Sequence, residues 1–548
     1  MDTSLPRYLK PLPSGLPESD VEYLRSKGVL SSPSPSIQME LWDIYFRVIH
    51  PSFPILDVEQ ILQSINPEKD GQISLLLFHC INLVARLFLD LHETYYRKRE
   101  SLRFMFEKAR VLYDFNLETD KVVLLQSALL MTFYPHPLNS PKGSAHWLAQ
   151  AVSIAYTIDL HRDPMDGVLT ARQKSVRKQL WWSLYIRERT IVLDIGLPWM
   201  IDENDYDIPM ITNNDFCLAP LIYNNETSEQ APDLEKWTQG TRLGQLFLQK
   251  AKLATVCSNF RPLSVTSYEW DNHSMKTQSP RVQRRTPNLE DLDAIDGKLD
   301  QWWTEIQLEI DNNKWFGSEI EGIDGQDFDL LQFHYDGLLL TYRIAVHHIS
   351  CLRWLQSTNI SLATTKAVIK DLKSATWTII HLVQDLSHRN VKCHLELLGP
   401  SAIRPLLLYV VLSQRLSSPF LTSMEANRIH SFLLEVGEGD PFFSQAYSYV
   451  GCGADTIESP SPARFNDLVT SVSQSEPQAR QIANIFDGIL GDLNMDLDSF
   501  VSELSCISHM FHSHDLTAVD CVKGSVSPRL QWMVKEVEET ETVNPSEM

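Results

Sequence analysis

Apolar residues return every three or four positions through most of this chain, and no run alternates long enough to propose a sheet. Leu148, Ala151, Val152, Ala155 and Ile158 show the pattern. That spacing lines one face of an α-helix, whereas a strand turns successive side chains to opposite faces. It predicts helices near 57–64, 73–89, 92–115, 119–133, 143–158 and 170–195, after a first apolar segment that runs from Ile37 and stops at His50-Pro51. Later runs follow at 236–260, 289–308, 328–356, 361–387, 399–415 and 421–435. The expected fold class is all-α: a multi-helix globular body with polar disordered linkers.

Six prolines among the first 36 residues predict an extended preamble, broken by a short helical piece around Asp20 to Lys27. Residues 37–222 and 236–450 read as two parts of one helical body. The polar stretch 223–235, the Ser/Thr/Pro/Arg-rich stretch 264–288 and the Ser/Pro/Gly-rich stretch 452–480 read as linkers, with 264–288 expected to be disordered. Residues 481–548 form an acidic and hydrophobic C-terminal segment. No period repeats along the chain, so a solenoid is not expected.

Net charge narrows the partners. Asp and Glu outnumber Lys and Arg by 70 to 48, leaving −22, and a net anion opposes phosphate backbones unless a local basic patch overrides it. Arg97-Lys98-Arg99 and Arg281 with Arg284-Arg285 are the two small basic groups. They read as nuclear import signals or, more plainly, as solvated charge. The eight cysteines contain no C-x-x-C pair, and the N-terminus has no apolar signal region, so a disulfide framework is not expected. The most apolar stretch, Ile73 to Leu89, carries His79, Asn82 and Arg86 and reads as a core helix instead of a membrane span. The chain is therefore expected to be soluble and intracellular.

A search for catalytic chemistry finds none of the P-loop, dinucleotide, nucleophile-elbow, zinc-protease or EF-hand patterns. His92-Glu93 lacks the second histidine one turn on. Cys506, His509, His512, His514 and Asp515 bring metal-ligating types together, but their spacing matches no common zinc site, and a helix end with favourably placed histidines explains them. No catalytic, cofactor-binding or metal residue is assigned, and no cofactor is expected in this chain.

Five segments carry a resemblance. ELWDIYFRVIHPSFPILD (Glu40 to Asp57), AVSIAYTIDLHRD, RKQLWWSLYIRER, GLPWMIDENDYDIPM and LQFHYDGLLLTYR follow one another as in the middle homology region of fungal transcription factors. Asp159 stands where that family usually has glycine, and Leu197 replaces an arginine. The preamble PRYLKPLPSGLPESDVEYLRSKGVL, with ITNNDF at Ile211 to Phe216, is most similar to the family's cutinase transcription factor 1 beta group. The resemblance implies a nuclear transcription regulator whose helical body controls activity, with a small-molecule effector among its implied partners. Lipid, cutin-related or secondary-metabolite genes are its implied targets. It implies partners among coactivators or the transcriptional machinery, and a zinc-cluster factor as homo- or heterodimer partner. It marks His161, Arg162, Asp163, Trp181, Trp182, Glu188, Arg189 and Pro198 as structural residues of the family motif.

The family's six-cysteine binuclear zinc cluster is not among these 548 residues, and no cysteine precedes Cys80. Zinc enters only if such a cluster lies upstream. A lost exon, a fragment, or a standalone regulator acting through partners each fit that pattern. Regulator, DNA-independent interaction protein that pairs with or titrates zinc-cluster factors, and an all-α enzyme of unknown type stand as the readings, the enzyme a remote third.

Two expectations are specific. Glu188 lies two turns beyond Trp181 on nearly the same face, so it should sit near the core and need a cation. Arg162, just past the preceding helix, is the expected donor; the alternative is a surface pair with Arg187 or Arg189. Beyond Gln481, Phe486, Leu490, Leu493, Leu497 and Phe500 recur among acidic residues at alternating steps of four and three. That pattern suits an activation segment that folds against a coactivator groove, or a last helix that docks on the protein's own core.

Overall fold

A computed structural model describes residues 5–65, 73–88, 95–134, 142–165, 167–195, 199–216, 240–260, 266–269, 281–284, 289–313, 325–357, 371 and 374–382. In chain order the helices are α1 (Glu18–Ser26), α2 (Pro35–Ile44), α3 (Val58–Ile65), α4 (Leu75–Phe88), α5 (Tyr95–Asp114), α6 (Lys121–Met131), α7 (Ser144–Thr157), α8 (Ala171–Ile195), α9 (Gly240–Cys257), α10 (Leu289–Asn313) and α11 (Gly325–Ser357). The fold is all-α, as the periodicity predicts. One departure lies within 264–288: β1 (Thr266–Glu269) pairs antiparallel with β2 (Arg281–Arg284), Thr266 opposite Arg284. Four residues per strand are too few for a period-two pattern to register in the sequence. The helices expected at 399–415 and 421–435, the Cys506–Asp515 cluster and the segment from Phe486 to Phe500 lie outside the described residues, as do Gly196, Leu197 and Pro198. No described helix is long and apolar enough to cross a membrane.

Among the described residues, two apolar clusters form the interior. The first collects residues from the N-terminal strap through α9, among them Leu9, Trp42, Phe78, Leu129, Trp147, Trp181 and Phe247. The second joins α9 to α10 and α11 through Leu253, Phe260, Trp302, Leu331 and Tyr342. Helix α9 belongs to both: Phe247, Ala251 and Ala254 face the first, Leu246, Leu253 and Cys257 the second. Both free cysteines described, Cys80 and Cys257, are buried in these cores.

Local chemistry sets the helix ends. Helix α1 closes with Val29 N–H on the Leu24 carbonyl and Gly28 N–H on Arg25, with Gly28 at φ +67°. A Cβ on Gly28 would come within 2.8 Å of the tip of the half-exposed Phe104 ring, which can turn aside, so the backbone conformation is what calls for glycine. Asp120 caps α6 by accepting from Val122 N–H at 2.8 Å. Helix α2 runs into a π-turn, Tyr45–Ile49, where His50 N–H reaches the Tyr45 carbonyl, and Pro51 then ends the element. Inside the first core, Gln38 and Asn82 exchange amide hydrogen bonds of 2.8 and 3.0 Å and join α2 to α4. Each satisfies the other, so neither buried amide is left unpaired.

Candidate functional site

The corner between α7 and α8 is built on a helix ending of the same kind as α1. Leu160 N–H donates to Ala155 and Asp159 N–H to Tyr156, and Asp159 takes the left-handed position at φ +52°. This accounts for the glycine usual there in the resembling family: the position asks for positive φ, which aspartate tolerates at some cost. Arg177, one turn before the tryptophan pair, donates from Nη2 to the Asp159 carbonyl at 2.7 Å and lies 3.4 Å from that of Ile158. A guanidinium on the last carbonyls of α7 meets the negative end of the helix and ties α8 to it.

His161, Arg162 and Asp163 receive the chain as it returns from α8. The His161 carbonyl accepts from the N–H groups of Asp207 and Ile208 at 3.1 and 3.3 Å. The Asp207 carboxylate takes the Asp163 N–H at 2.7 Å and faces Arg162 at 3.3 Å. These bonds hold Asp207 below the usual aspartate range, the Asp163 N–H contributing most. The Arg162–Asp207 pair is more than half exposed.

Both tryptophans turn inward, Trp181 at 0% and Trp182 at 2% exposure. Trp181 packs near Tyr156, His161 and Tyr206, while Trp182 donates its indole N–H to the Pro209 carbonyl at 3.0 Å. Helix α8 is therefore a central helix, buried on more than one side.

The expectation for Glu188 needs correction. Its cation is Arg189, not Arg162, and the pair is buried instead of lying at the surface, with side-chain exposures of 0% and 2%. The other Glu188 oxygen accepts from Met200 N–H at 2.6 Å and lies 3.4 Å from that of Ile201. Arg189 reaches on to the Ile201 carbonyl at 3.1 Å and to Glu203 at 2.6 Å, lying between the rings of Tyr185 and Trp199. Burial pushes the Glu188 carboxyl up, and Arg189 with the two backbone donors pulls it part of the way back. Burial would also raise Glu203, but hydrogen bonds from Tyr185, Tyr206 and Arg189 bring it below the usual range. Arg187 turns elsewhere: it donates to the Thr132 hydroxyl and carbonyl at the end of α6, each at 3.0 Å, with Phe133 beneath its guanidinium. Sequence reading missed Glu203, Asp207 and Asp215 as partners. The last accepts from Ser175 at 3.0 Å, closes a capping box with Thr212 and faces Lys178. Their signal was the acidic run after α8, which the motif placed without assigning its charges.

The node is therefore a fastening, with α6, α7 and the 199–216 return all bound to α8. Residues 42–304 match the fungal specific transcription factor domain. The chain carries that domain. Cutinase transcription factor 1 beta of Fusarium vanettenii is 27% identical over 432 residues, 76% of this chain and 48% of that protein. Transcription factor cpaR of Aspergillus oryzae is 29% identical over 55% of this chain and 51% of its own length. The acetamidase regulatory protein of Aspergillus fumigatus is 29% identical over 34% of this chain and 24% of its own. The chain spans about half the length of the first of these relatives. Among the described residues, no group of three or more His, Cys, Asp or Glu is placed to hold a metal ion.

Proposed function

We propose that this chain is the regulatory part of a fungal-type nuclear transcription regulator. The domain match over residues 42–304 supports this reading, together with relatives whose names are those of transcription factors. In it, α1–α11 form a body that adjusts activity in response to a small-molecule effector. The segment bearing Phe486, Leu490, Leu493, Leu497 and Phe500 recruits a coactivator or the transcriptional machinery. DNA is reached through a zinc-cluster module or a zinc-cluster partner, and the chain performs no bond-breaking chemistry.

A reporter assay tests this, with the whole chain tethered to an unrelated DNA-binding domain and compared with a version ending before Gln481. The expected result is a change in reporter output that the shorter version loses. Equal, unaltered output from both refutes the reading. The net charge of −22 favours a second arrangement, in which the chain touches no DNA and pairs with a full-length relative. Recovery of a zinc-cluster protein with the chain from fungal nuclei, with no DNA retention by the purified chain, separates the two.

A further inference from the structure

Between α1 and α2 the chain reads Ser31-Ser32-Pro33-Ser34-Pro35-Ser36, two Ser-Pro dipeptides in succession. Ser31 is tied down. Its N–H and hydroxyl donate to the Gly28 carbonyl at 3.1 and 2.6 Å, and the buried Lys108 ammonium donates to its hydroxyl at 2.8 Å. Beyond it Ser34, Pro35 and Ser36 are exposed, whereas Pro33 is half-buried. Ser34 holds φ −57 to −60° territory of polyproline, φ −60° with ψ 152°, and its carbonyl accepts from Gln38 N–H at 2.9 Å to open α2. A serine at that position ordinarily caps the helix by accepting from the N–H groups two and three residues on. Here it does not. Its hydroxyl faces that of Ser36 at 3.2 Å, and the N–H groups of Ser36 and Ile37 meet no acceptor among the described residues. The first turn of α2 also carries no acidic residue.

We propose that Ser34 is a phosphorylation site, the acceptor for a proline-directed protein kinase. Such an enzyme needs the acceptor serine and the proline after it to be free and extended, and Ser34-Pro35 meets both needs. Ser32-Pro33 does so less well, since it adjoins the fastened Ser31 and its proline is half-buried. Proline has no N–H to leave unpaired in the enzyme's groove, and it holds the residue before it extended. In the transfer, Ser34 Oγ attacks the γ-phosphorus of a kinase-bound nucleoside triphosphate chelated by magnesium. An O–P bond forms as the bond from that phosphorus to the β–γ bridging oxygen breaks. The nucleoside diphosphate leaves with the electron pair, and the hydroxyl proton passes to the kinase's catalytic carboxylate. The product does what the free hydroxyl does not. It brings about −1.5 to −2 of charge and three acceptor oxygens to the positive end of α2, where two N–H groups await an acceptor. One turn on, Gln38 and Asn82 tie α2 to α4, so a firmer first turn steadies the entry to the first core. This modification lies beyond the proposed function and holds whether or not the chain regulates transcription.

Incubating the purified full-length chain with a mitogen-activated protein kinase, ATP and magnesium, followed by phosphopeptide mapping, tests the acceptor. A short Ser-Pro peptide is the positive control for the kinase. Phosphate is expected on Ser34; Ser34→Ala should lose it and Ser32→Ala should keep it. Hydrogen exchange then tests the consequence. In the phosphorylated chain the amides of Ser36 and Ile37 should exchange about 2- to 5-fold more slowly, the gain an anion gives at a helix start. The proposal is overturned if the kinase modifies the control peptide and leaves Ser34 bare, or if it places phosphate on Ser32 alone. Unchanged or faster exchange in the modified chain overturns it as well. A silent reporter with Ser34 modified refutes the transcriptional reading alone; an active reporter with Ser34 bare refutes the phosphorylation site alone.

Discussion

Replacing Glu188 by glutamine keeps the shape of the side chain and removes only its charge. The amide oxygen can still accept from Met200 N–H, but Arg189 loses its one fully buried counterion. Removing one member of a buried ion pair costs about 3–5 kcal/mol, since the remaining charge has left water without compensation. Here Arg189 keeps Glu203, whose side chain is 37% exposed, and the Ile201 carbonyl. The expected loss therefore sits at the low end, about 3 kcal/mol. For a single folding unit of about 300 residues that lowers the melting temperature by roughly 5 °C. Arg189→Met leaves the opposite defect, a carboxylate without its cation. That group escapes by taking up a proton, so its folded pKa rises further above the unfolded value. The missing stability should then return as pH falls below that raised value and be lost as pH rises through it. Melting curves of wild type, Glu188→Gln, Arg189→Met and the double variant at pH 5 and 7.5, read by circular dichroism, supply the test, with coupling expected in the double variant. Arg162→Ala serves as control and should leave the midpoint in place, because its partner is exposed. A Glu188→Gln midpoint within about 1 °C of wild type refutes the reasoning.

Two further outcomes follow from the described residues. Asp159→Gly should raise stability by about 0.5–1 kcal/mol, since glycine adopts φ +52° without the penalty of a Cβ; a lower urea midpoint would contradict that reading of the corner. Acid should weaken the fold well before its carboxylates titrate, because burial drives His79 and His334 down to about 3. Both stay neutral in the fold and gain protons on unfolding, so their contribution is complete above about pH 6.5 and is lost as pH falls toward 3. Each costs about 2 kcal/mol by pH 5, and a urea midpoint that does not change between pH 7.5 and 5 would exclude this.

The helices of the body were legible because each buries one stripe, and a stripe leaves its period in the sequence. The corner at His161–Asp163 was legible from its motif, and the odd aspartate at 159 marked a backbone conformation. The partner of Glu188 was not. Adjacent residues on a helix point about 100° apart, so the sequence gives Arg189 no evident place beside Glu188 in the core. The returning loop at 199–203 covers both side chains and gives them common partners, and no local pattern predicts a loop's path.

The double allegiance of α9 bears on how the protein should be dissected. A cut in the polar stretch 223–235 would leave the N-terminal piece without Phe247, Ala251 and Ala254, and the C-terminal piece with those same side chains bared to water. Neither product would have a complete interior. Expression fragments should therefore run past α11, and unfolding of the described body should proceed as a single cooperative event, with both clusters losing their packing together.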